Sequence, residues 1–167
     1  MMRGLALFVA GLLVGGFAVH AAIADNEHSS PNTGIVGLNH VAISVPDVDK
    51  TVAFYTKVMG FPEAFRVKDK EGKLQLVYVQ ISKGTFIEIL PASVQRPPGL
   101  NHLGLYVDNM QQATAMFKAR GANVGAINTG SPTKAILNNL LDPNGNRIEL
   151  AELPADSMHH QAMDRWH

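Results

Sequence analysis

Two histidine–glutamate pairs are the residues of this chain whose types and spacing suit them to chemistry. His40 precedes Glu88 by 48 positions, and His102 precedes Glu149 by 47. Each glutamate stands between apolar residues, where a carboxylate is costly to bury unless it has a partner. A divalent cation is such a partner. Imidazole nitrogens and carboxylate oxygens bind Zn²⁺, Ni²⁺, Fe²⁺, Mn²⁺ and Co²⁺, so the four side chains are candidate ligands of one ion, with positions left open for water or substrate.

The two pairs belong to an internal repeat. Residues 39–45 (NHVAISV) match residues 101–107 (NHLGLYV) at an offset of 62, and the similarity continues into the segments that follow. A period of this length is too long for a solenoid and indicates two halves of one domain.

Each half of the repeat has the periodicities of a βαβββ module. Apolar residues alternate in the strand segments and recur at helical spacing in the segment after the first strand. The predicted elements of the first module are a strand over 38–45, a helix over 48–59 ending at Gly60, and strands over 63–68, 74–82 and 85–90. Those of the second module are a strand over 101–107, a helix over 110–120, and strands over 123–127, 134–141 and 146–152.

Strand alternation predicts that the four candidate ligands share one face of the sheet. Side chains of successive strand residues point to opposite faces, so Val41, Ile43 and Val45 pack on the helix and leave His40 on the other side. Glu88 is placed in the same way by Ile87 and Ile89. The second module follows the same pattern around His102 and Glu149.

Composition excludes several other kinds of site. The chain has 14 basic and 14 acidic residues and no cysteine. Disulfides, thiolate nucleophiles and cysteine-based zinc sites are therefore excluded. The balanced charge, without a basic stripe, argues against a nucleic-acid partner.

The N-terminus has the pattern of a secretory signal peptide. Arg3 is followed by an apolar run over residues 5–19 and by a small-x-small sequence at 22–24 (AIA). We predict a signal peptide over 1–24, a flexible lead-in over 25–35, and an exported protein (periplasmic or secreted) that is free of the membrane after cleavage. An uncleaved membrane anchor is the alternative. The domain is predicted to span 36–152, as modules 36–90 and 100–152 joined by a proline-rich linker.

The C-terminal tail over 153–167 is polar with scattered apolar residues. We expect a short helix that packs on the body of the domain or covers the mouth of the cleft. The three histidines of the tail, His159, His160 and His167, are expected to be solvated.

Three segments resemble the vicinal-oxygen-chelate superfamily, which includes glyoxalase I, extradiol dioxygenases, methylmalonyl-CoA epimerases and bleomycin resistance proteins. They are residues 38–42 (LNHVA), 54–61 (FYTKVMGF) and 141–150 (LDPNGNRIEL). The resemblance implies an α+β fold in which paired βαβββ modules form an open, eight-stranded, barrel-like cleft with the metal at its centre. It also implies a homodimer.

The ligand order His, Glu, His, Glu is most similar to glyoxalase I. This resemblance implies a lyase or isomerase that acts on a small oxygen-chelating substrate through an enediolate-type intermediate. Glu149 is implied as the catalytic base, with Glu88 as its counterpart. However, Ser44 stands where glyoxalase I usually has a glutathione-binding arginine, and export removes the chain from the main glutathione pool. The glutathione substrate is therefore not predicted.

Two other functions stay open at this stage. One is an Fe²⁺ extradiol-type dioxygenase that uses His40, His102 and Glu149 and leaves Glu88 idle. The other is a non-catalytic module that binds a small molecule and confers resistance to it. Four further polar residues are candidates to line the cleft: Arg66, Tyr78, Gln80 and Asn138.

Overall fold

The computed structural model describes residues 34–129 and 132–167. The predicted signal peptide and most of the lead-in lie outside the described residues. The elements in chain order are β1 (Ile35–Val45), α1 (Val48–Ala53), β2 (Glu63–Lys68), β3 (Leu74–Ser82), β4 (Thr85–Pro91), β5 (Gly99–Val107), α2 (Met110–Ala119), β6 (Ile136–Leu141), β7 (Arg147–Glu152) and α3 (Met158–Asp164). None of the described helices is long and apolar enough to cross a membrane.

The strands form one mixed sheet in the order β2-β3-β4-β1-β5-β7-β6. Within each module the first strand pairs in parallel with the last, β1 with β4 and β5 with β7. The two modules meet where β1 pairs antiparallel with β5. The first strands of both modules are therefore neighbours at the centre of the sheet, and this confirms the predicted fold class of paired modules around an open cleft.

The convex face of the sheet holds the two helices that follow the first strands. Val48 and Val52 of α1 pack in one apolar cluster with Val77, Val79 and Ile89. Met110 and Ala113 of α2 pack in a second cluster, which includes Val107 and Leu150. Ile43, Val45 and Ile87 also contact the first cluster, so the alternation predicted for β1 and β4 is confirmed.

The first helix is shorter than predicted. It begins at the N-cap Asp47, whose carboxylate accepts a hydrogen bond from the backbone N–H of Lys50. The α-helix ends at Ala53, and a π-helical turn (Phe54–Val58) continues it. Gly60 then terminates the segment with φ +78°, the left-handed conformation that favours glycine. Met59, the last residue of the predicted helix, is exposed.

The sheet has seven strands among the described residues rather than the eight predicted. Residues 123–127 form no strand, and the segment touches β6 only at isolated bridges from Val124 to Leu140 and from Asn128 to Leu137. Asn123, Gly125 and Ala126 interrupt the strand-forming Val124 and Ile127, and the three interrupting residues gain little from packing on a pleated surface. β6 likewise begins at Ile136 rather than 134, because Lys134 has φ +61°, outside the strand region.

The concave face is covered in part by the C-terminal helix α3, as the tail was expected to do. Ala162 packs against Phe65, Tyr78 and Phe86 of the first module. Met163 contacts this cluster and also a cluster of the second module that contains Ala135, Ala151 and Leu153. The first module is therefore packed on both faces, and α3 sits beside the residues predicted to bind metal.

Candidate metal centre

The pairing of β1 with β5 brings all four predicted ligands together within one chain. His40 lies opposite Gly104 on β5, and Gly104 lies beside Glu149 on β7. By the same relation in the other module, His102 lies opposite Ala42 on β1, and Ala42 lies beside Glu88 on β4. Each histidine therefore reaches over a small residue of the other module toward that module's glutamate.

The small residue beneath His40 is a steric requirement. A Cβ atom placed on Gly104 would lie 2.1 Å from Cε1 of the His40 ring and 2.5 Å from its Nε2. No real side chain tolerates such contacts, so the ring occupies its position only because residue 104 is glycine.

The four functional groups converge on one point in a buried setting. The Nε2 atoms of His40 and His102 lie 2.9 Å apart. Oε2 of Glu88 lies 3.2 Å from Nε2 of His102 and 3.7 Å from Nε2 of His40. Oε1 of Glu149 lies 3.5 Å from Nε2 of His40 and 3.8 Å from Nε2 of His102. The four residues are between 1% and 8% exposed.

The tautomers of the histidines are fixed by the asparagines that precede them. Nδ1 of His40 lies 2.8 Å from Oδ1 of Asn39, and Nδ1 of His102 lies 2.9 Å from Oδ1 of Asn101. An amide oxygen only accepts, so each asparagine favours the tautomer that carries the proton on Nδ1; at His102 the Nη2 donor of Arg147 also contacts this nitrogen and opposes the preference. In neutral imidazole the opposite Nε2 is then an acceptor with a lone pair. The repeated Asn-His dipeptide thus orients both rings, as hydrogen-bond partners of metal-ligating histidines usually do.

The centre therefore gathers four acceptors without a protein donor between them. Oε2 of Glu88 is buried and forms no hydrogen bond among the described residues. A buried acceptor without a partner costs about 1–3 kcal/mol, and more when it is charged. Such an arrangement is stable only if a cation or a proton occupies the point of convergence.

The pKa values of the two histidines shift in opposite directions. Burial lowers the pKa of His40 to about 3, although the charge of Glu149 opposes the effect. Burial also acts to lower the pKa of His102, but the nearby carboxylates of Glu149 and Glu88 outweigh it and the net pKa is raised. The pKa of Glu149 is lowered, since the contacts with His102 and His40 outweigh its burial. Without metal, one proton shared by the cluster takes the position of the cation.

The distances among the four atoms fit a single divalent ion. Two ligand atoms that each lie about 2.1 Å from such an ion are about 3.0 to 3.6 Å apart when the angle between them is about 90° to 120°. The observed separations run from 2.9 to 3.8 Å and so depart from this range by at most 0.2 Å. His40, His102 and Glu149 also satisfy a common limit of 4.8 Å among their ligand atoms. Imidazole nitrogens and carboxylate oxygens are ligands that divalent transition metals such as Zn²⁺ and Ni²⁺ bind in proteins.

Arg147 is a cationic neighbour that sequence reasoning missed. Its Nη2 donates to Oδ1 of Asn101 at 3.0 Å and also contacts Nδ1 of His102. Its Nη1 lies 3.5 Å from Oε2 of Glu149. The alternation that placed Glu149 on the concave face also places residue 147 there, so this residue was predictable from the same pattern.

His159 is buried, and the expectation that it is solvated is wrong. Helix α3 inserts its ring among Phe65, Tyr78 and Phe86, with ring centroids 4.5 to 5.5 Å apart. The ring stacks at 6.4 Å from His40. Neither of its nitrogens has a hydrogen-bond partner among the described residues. The polar composition of the tail concealed this burial, which depends on where α3 docks.

The four other cleft candidates divide into two groups. Tyr78 lies at the centre, edge-on to His40, and burial together with the charges of Glu88 and Glu149 raises its pKa, so it keeps its proton. Gln80 is buried beneath α3 and donates to the carbonyl of Ala162. Arg66 instead pairs with Glu63 at the surface. Asn138 faces away from the cleft and donates to Thr114 of α2.

Ser44 contacts one of the asparagines that orient the ligand histidines. It is buried, and its Oγ accepts a hydrogen bond from Nδ2 of Asn101 at 3.4 Å. Asn101 in turn fixes His102. The residue that replaces the expected arginine therefore has a positioning role.

Comparison with known proteins defines the class. The family model of the Glyoxalase/Bleomycin resistance protein/Dioxygenase superfamily matches residues 37–150, and the chain belongs to this superfamily. The prediction from the three motif segments is thereby confirmed.

Relatives within the superfamily carry two different activities in their names. A lactoylglutathione lyase of Salmonella typhimurium is 29% identical over 126 residues, covering 69% of this chain and 91% of the relative. A mitochondrial methylmalonyl-CoA epimerase of Homo sapiens is 31% identical over 94 residues, covering 50% of this chain and 53% of the relative. The crystal structure of methylmalonyl-CoA epimerase from Mycobacterium tuberculosis has a TM-score of 0.64 at 19% identity and covers 75% of this chain and 93% of that structure. The structural similarity establishes the fold.

Proposed function

We propose that the protein is a metal-dependent lyase or isomerase that moves a proton between adjacent carbons of a small substrate with two neighbouring oxygens. The observation that supports this proposal is the convergence of four buried acceptors, two imidazole nitrogens and two carboxylate oxygens, on one point. The similarity to lactoylglutathione lyase and methylmalonyl-CoA epimerase is consistent with it.

The ligands are assigned as His40, His102, Glu88 and Glu149, with Zn²⁺, Ni²⁺, Fe²⁺, Mn²⁺ or Co²⁺ as the ion. When bound, the ion supplies Lewis acidity that polarises a substrate oxygen. Asn39 and Asn101 hold the two rings with Nε2 toward the centre. Tyr78 keeps its hydroxyl proton and limits the access of water on the first-module side.

Glu149 is assigned as the base. The contacts that lower its pKa keep it ionised and able to accept a proton near neutral pH. It removes the proton of the first carbon, and the electron pair of that C–H bond forms a double bond to the second carbon while the carbonyl pair moves onto oxygen. Return of the proton to the second carbon and transfer of the hydroxyl proton from the first oxygen to the second complete the isomerisation. Glu88, the counterpart in the first module, serves the opposite face of the enediolate.

A dioxygenase is the second candidate, and one observation favours it. His40, His102 and Glu149 form a group of three buried ligands whose atoms lie within 4.8 Å of one another, which is the two-histidine, one-carboxylate set of non-haem iron oxygenases. Against this stands Glu88, whose Oε2 lies as close to the histidines as Oε1 of Glu149 and has no hydrogen-bond partner among the described residues. An idle Glu88 would leave a buried charge uncompensated.

Two further proposals concern the context of the protein. We propose that the chain is exported after removal of residues 1–24 and that it forms a homodimer, as the resemblance to the superfamily implied. Export is tested by N-terminal sequencing of the protein secreted from its host, and dimerisation by light scattering.

The metal assignment is tested with Glu88→Gln and Glu149→Gln, and with Glu71→Gln as the control because Glu71 lies in an exposed turn. Metal content is measured by mass spectrometry of the purified proteins. We expect about one metal ion per chain in the wild type and control and clearly less in both site variants, since a lost ligand typically weakens metal binding by at least the 10–100-fold seen for outer-shell partners.

The reaction class is tested on the same samples. Exchange of carbon-bound hydrogen in D₂O is followed by NMR on the hemithioacetal of methylglyoxal and on hydroxyketones such as dihydroxyacetone, and oxygen uptake is followed with catechol. Exchange without oxygen uptake supports the isomerase. Oxygen uptake that survives Glu88→Gln and is lost in Glu149→Gln supports the dioxygenase instead. Full metal content in both glutamine variants refutes the site.

A further inference from the structure

The route by which a substrate reaches the centre is set by the C-terminal helix. On the first module α3 packs against Phe65, Tyr78 and Phe86 and covers the concave face. On the second module a cleft of about 220 Å³ opens beside His102 and is lined by the apolar side chains of Leu100, Leu103 and Ile148 and by the polar side chains of Asn101, Asp142, Asn146 and Arg147. His102 is the ligand that lines this cleft, so the cleft leads to the centre from the second-module side.

This cleft is small for the substrate of a glutathione-dependent enzyme. Pockets that bind drug-sized molecules usually measure roughly 300–1,000 Å³. A cleft of about 220 Å³ fits a molecule of only a few carbon atoms and its oxygens. The concave face of the first module is covered by α3 and offers no further room.

The charges around the metal centre indicate the charge of the molecule that binds there. Two neutral imidazoles, two carboxylates and a divalent cation sum to zero net charge. Arg147 lies within 3.5 Å of Glu149 at the side of the centre that faces the cleft, and its side chain is 37% exposed. The centre and Arg147 together carry a charge of +1. Asp142 also lines the cleft, but its carboxylate oxygens accept hydrogen bonds from Asn144 and Asn146, so Arg147 is the charged group of the lining with donors left for an anionic ligand.

The hydrogen bonds of Arg147 leave capacity for such a ligand. A guanidinium has five N–H donors. Among the described residues, Nη2 donates to Asn101 and Nη1 donates to Asn139 at 3.3 Å, while Nε has no protein acceptor. An arginine with a free edge in a half-exposed cleft is well suited to a carboxylate, because the two groups match in geometry.

We propose that Arg147 is the substrate-binding residue that selects a small anion, a molecule with two neighbouring oxygens that also carries a carboxylate or an equivalent negative group. This inference rests on the proposed function, since it assumes an occupied metal centre. It deepens that function by naming the class of substrate and the residue that recognises it.

A purely positioning role for Arg147 makes a different prediction. If Arg147 acted only through Asn101 and His102, its loss would weaken metal binding. It would also weaken the binding of charged and neutral ligands equally. Recognition of the anion instead affects the charged ligand alone. The two roles are separated by comparing a charged and a neutral ligand of nearly identical shape.

The experiment uses the cobalt-loaded protein, with lactate as the anion and lactamide as its neutral counterpart. Binding is followed through the visible absorption of Co²⁺, a readout that needs no turnover. The variants are Arg147→Gln, Arg147→Lys, which retains the charge, and the control Arg120→Gln, which changes an exposed arginine at the end of α2. Cobalt content and circular dichroism are measured for each.

We expect the wild type and the control to bind lactate at least tenfold more tightly than lactamide. Because a hydrogen bond to a charged group is worth about 1.5–3 kcal/mol, Arg147→Gln should weaken lactate about 10- to 100-fold and leave lactamide nearly unchanged. Arg147→Lys should retain part of the preference. If a cobalt-loaded Arg147→Gln protein still prefers lactate, the assignment of Arg147 is overturned, while the proposed function is unaffected. A wild-type protein that takes up no cobalt overturns the proposed function and this inference with it.

Discussion

Burial of His159 makes a specific prediction about how stability depends on pH. The ring is 2% exposed, lies among three aromatic rings and has no hydrogen-bond partner among the described residues for either nitrogen. Burial lowers its pKa from 6.5 to about 4. We therefore consider the substitution His159→Phe, which keeps an aromatic ring at this position and removes the titrating group.

The size and sign of the effect follow from proton linkage. Between pH 6.5 and 4 the unfolded chain binds a proton at residue 159 and the folded chain does not, so folding stability falls as the pH falls. At about 1.4 kcal/mol per pH unit, the gap between the two pKa values corresponds to about 3 kcal/mol. The loss begins near pH 6.5 and is complete only below pH 4.

The absolute stability of the variant at neutral pH is a poorer test. Removing two unpartnered nitrogens recovers about 1–3 kcal/mol for each, whereas the larger phenyl ring costs about 1–3 kcal/mol through overpacking. These terms oppose each other. The pH dependence isolates the titration of His159 from both of them.

The assay is urea unfolding of the metal-free protein, treated with chelator, at pH 7.5, 6, 5 and 4. The wild type should lose about 3 kcal/mol more of its unfolding free energy than His159→Phe over this range. The control is His160→Phe on the same helix, because His160 is partly exposed. It should follow the wild type. His40 titrates in all three proteins, so the difference between them reports on His159.

One result would refute this reasoning. If the wild type and His159→Phe lose the same free energy between pH 7.5 and pH 4 while both unfold in a single transition, then His159 is not buried in its neutral form. The docking of α3 on the concave face would then be wrong.

Two further predictions concern the support of the histidines. Asn39→Ala removes the acceptor of the Nδ1 proton of His40 and should weaken metal binding about 10- to 100-fold in a chelator competition, with Asn144→Ala in an exposed turn unchanged. Gly104→Ala places a Cβ 2.1 Å from the ring of His40 and should abolish stoichiometric metal binding and lower stability by about 1–3 kcal/mol. Gly37→Ala, on the same sheet with no atom within 4 Å of its new Cβ, is the control; equal metal content in both alanine variants would contradict the steric argument.

Local periodicity was sufficient to predict most of the fold. The boundaries of β2 and β3 agree with the predicted strands, because alternation between glycine-containing turns defines both ends. The edge segment at 123–127 was predicted wrongly. It has the spacing of a strand, but Asn123, Gly125 and Ala126 at the edge of the sheet gain too little from packing to form a continuous ladder.

Strand alternation was enough to predict which residues share a face of the sheet. A strand has a period of two, so the neighbours of His40, Glu88, His102 and Glu149 are enough to place all four on the side away from the helices. The repeated Asn-His dipeptide was also visible, although its hydrogen bonds were not.

How those residues combine depends on contacts between distant parts of the chain. The antiparallel pairing of β1 with β5 sets His40 over Gly104 toward Glu149, and so completes the centre within one chain. The docking of α3 buries His159 and leaves Arg147 at the open side. These are contacts between segments far apart in the chain, and their register depends on the packing of the whole sheet, which no local pattern of residues specifies.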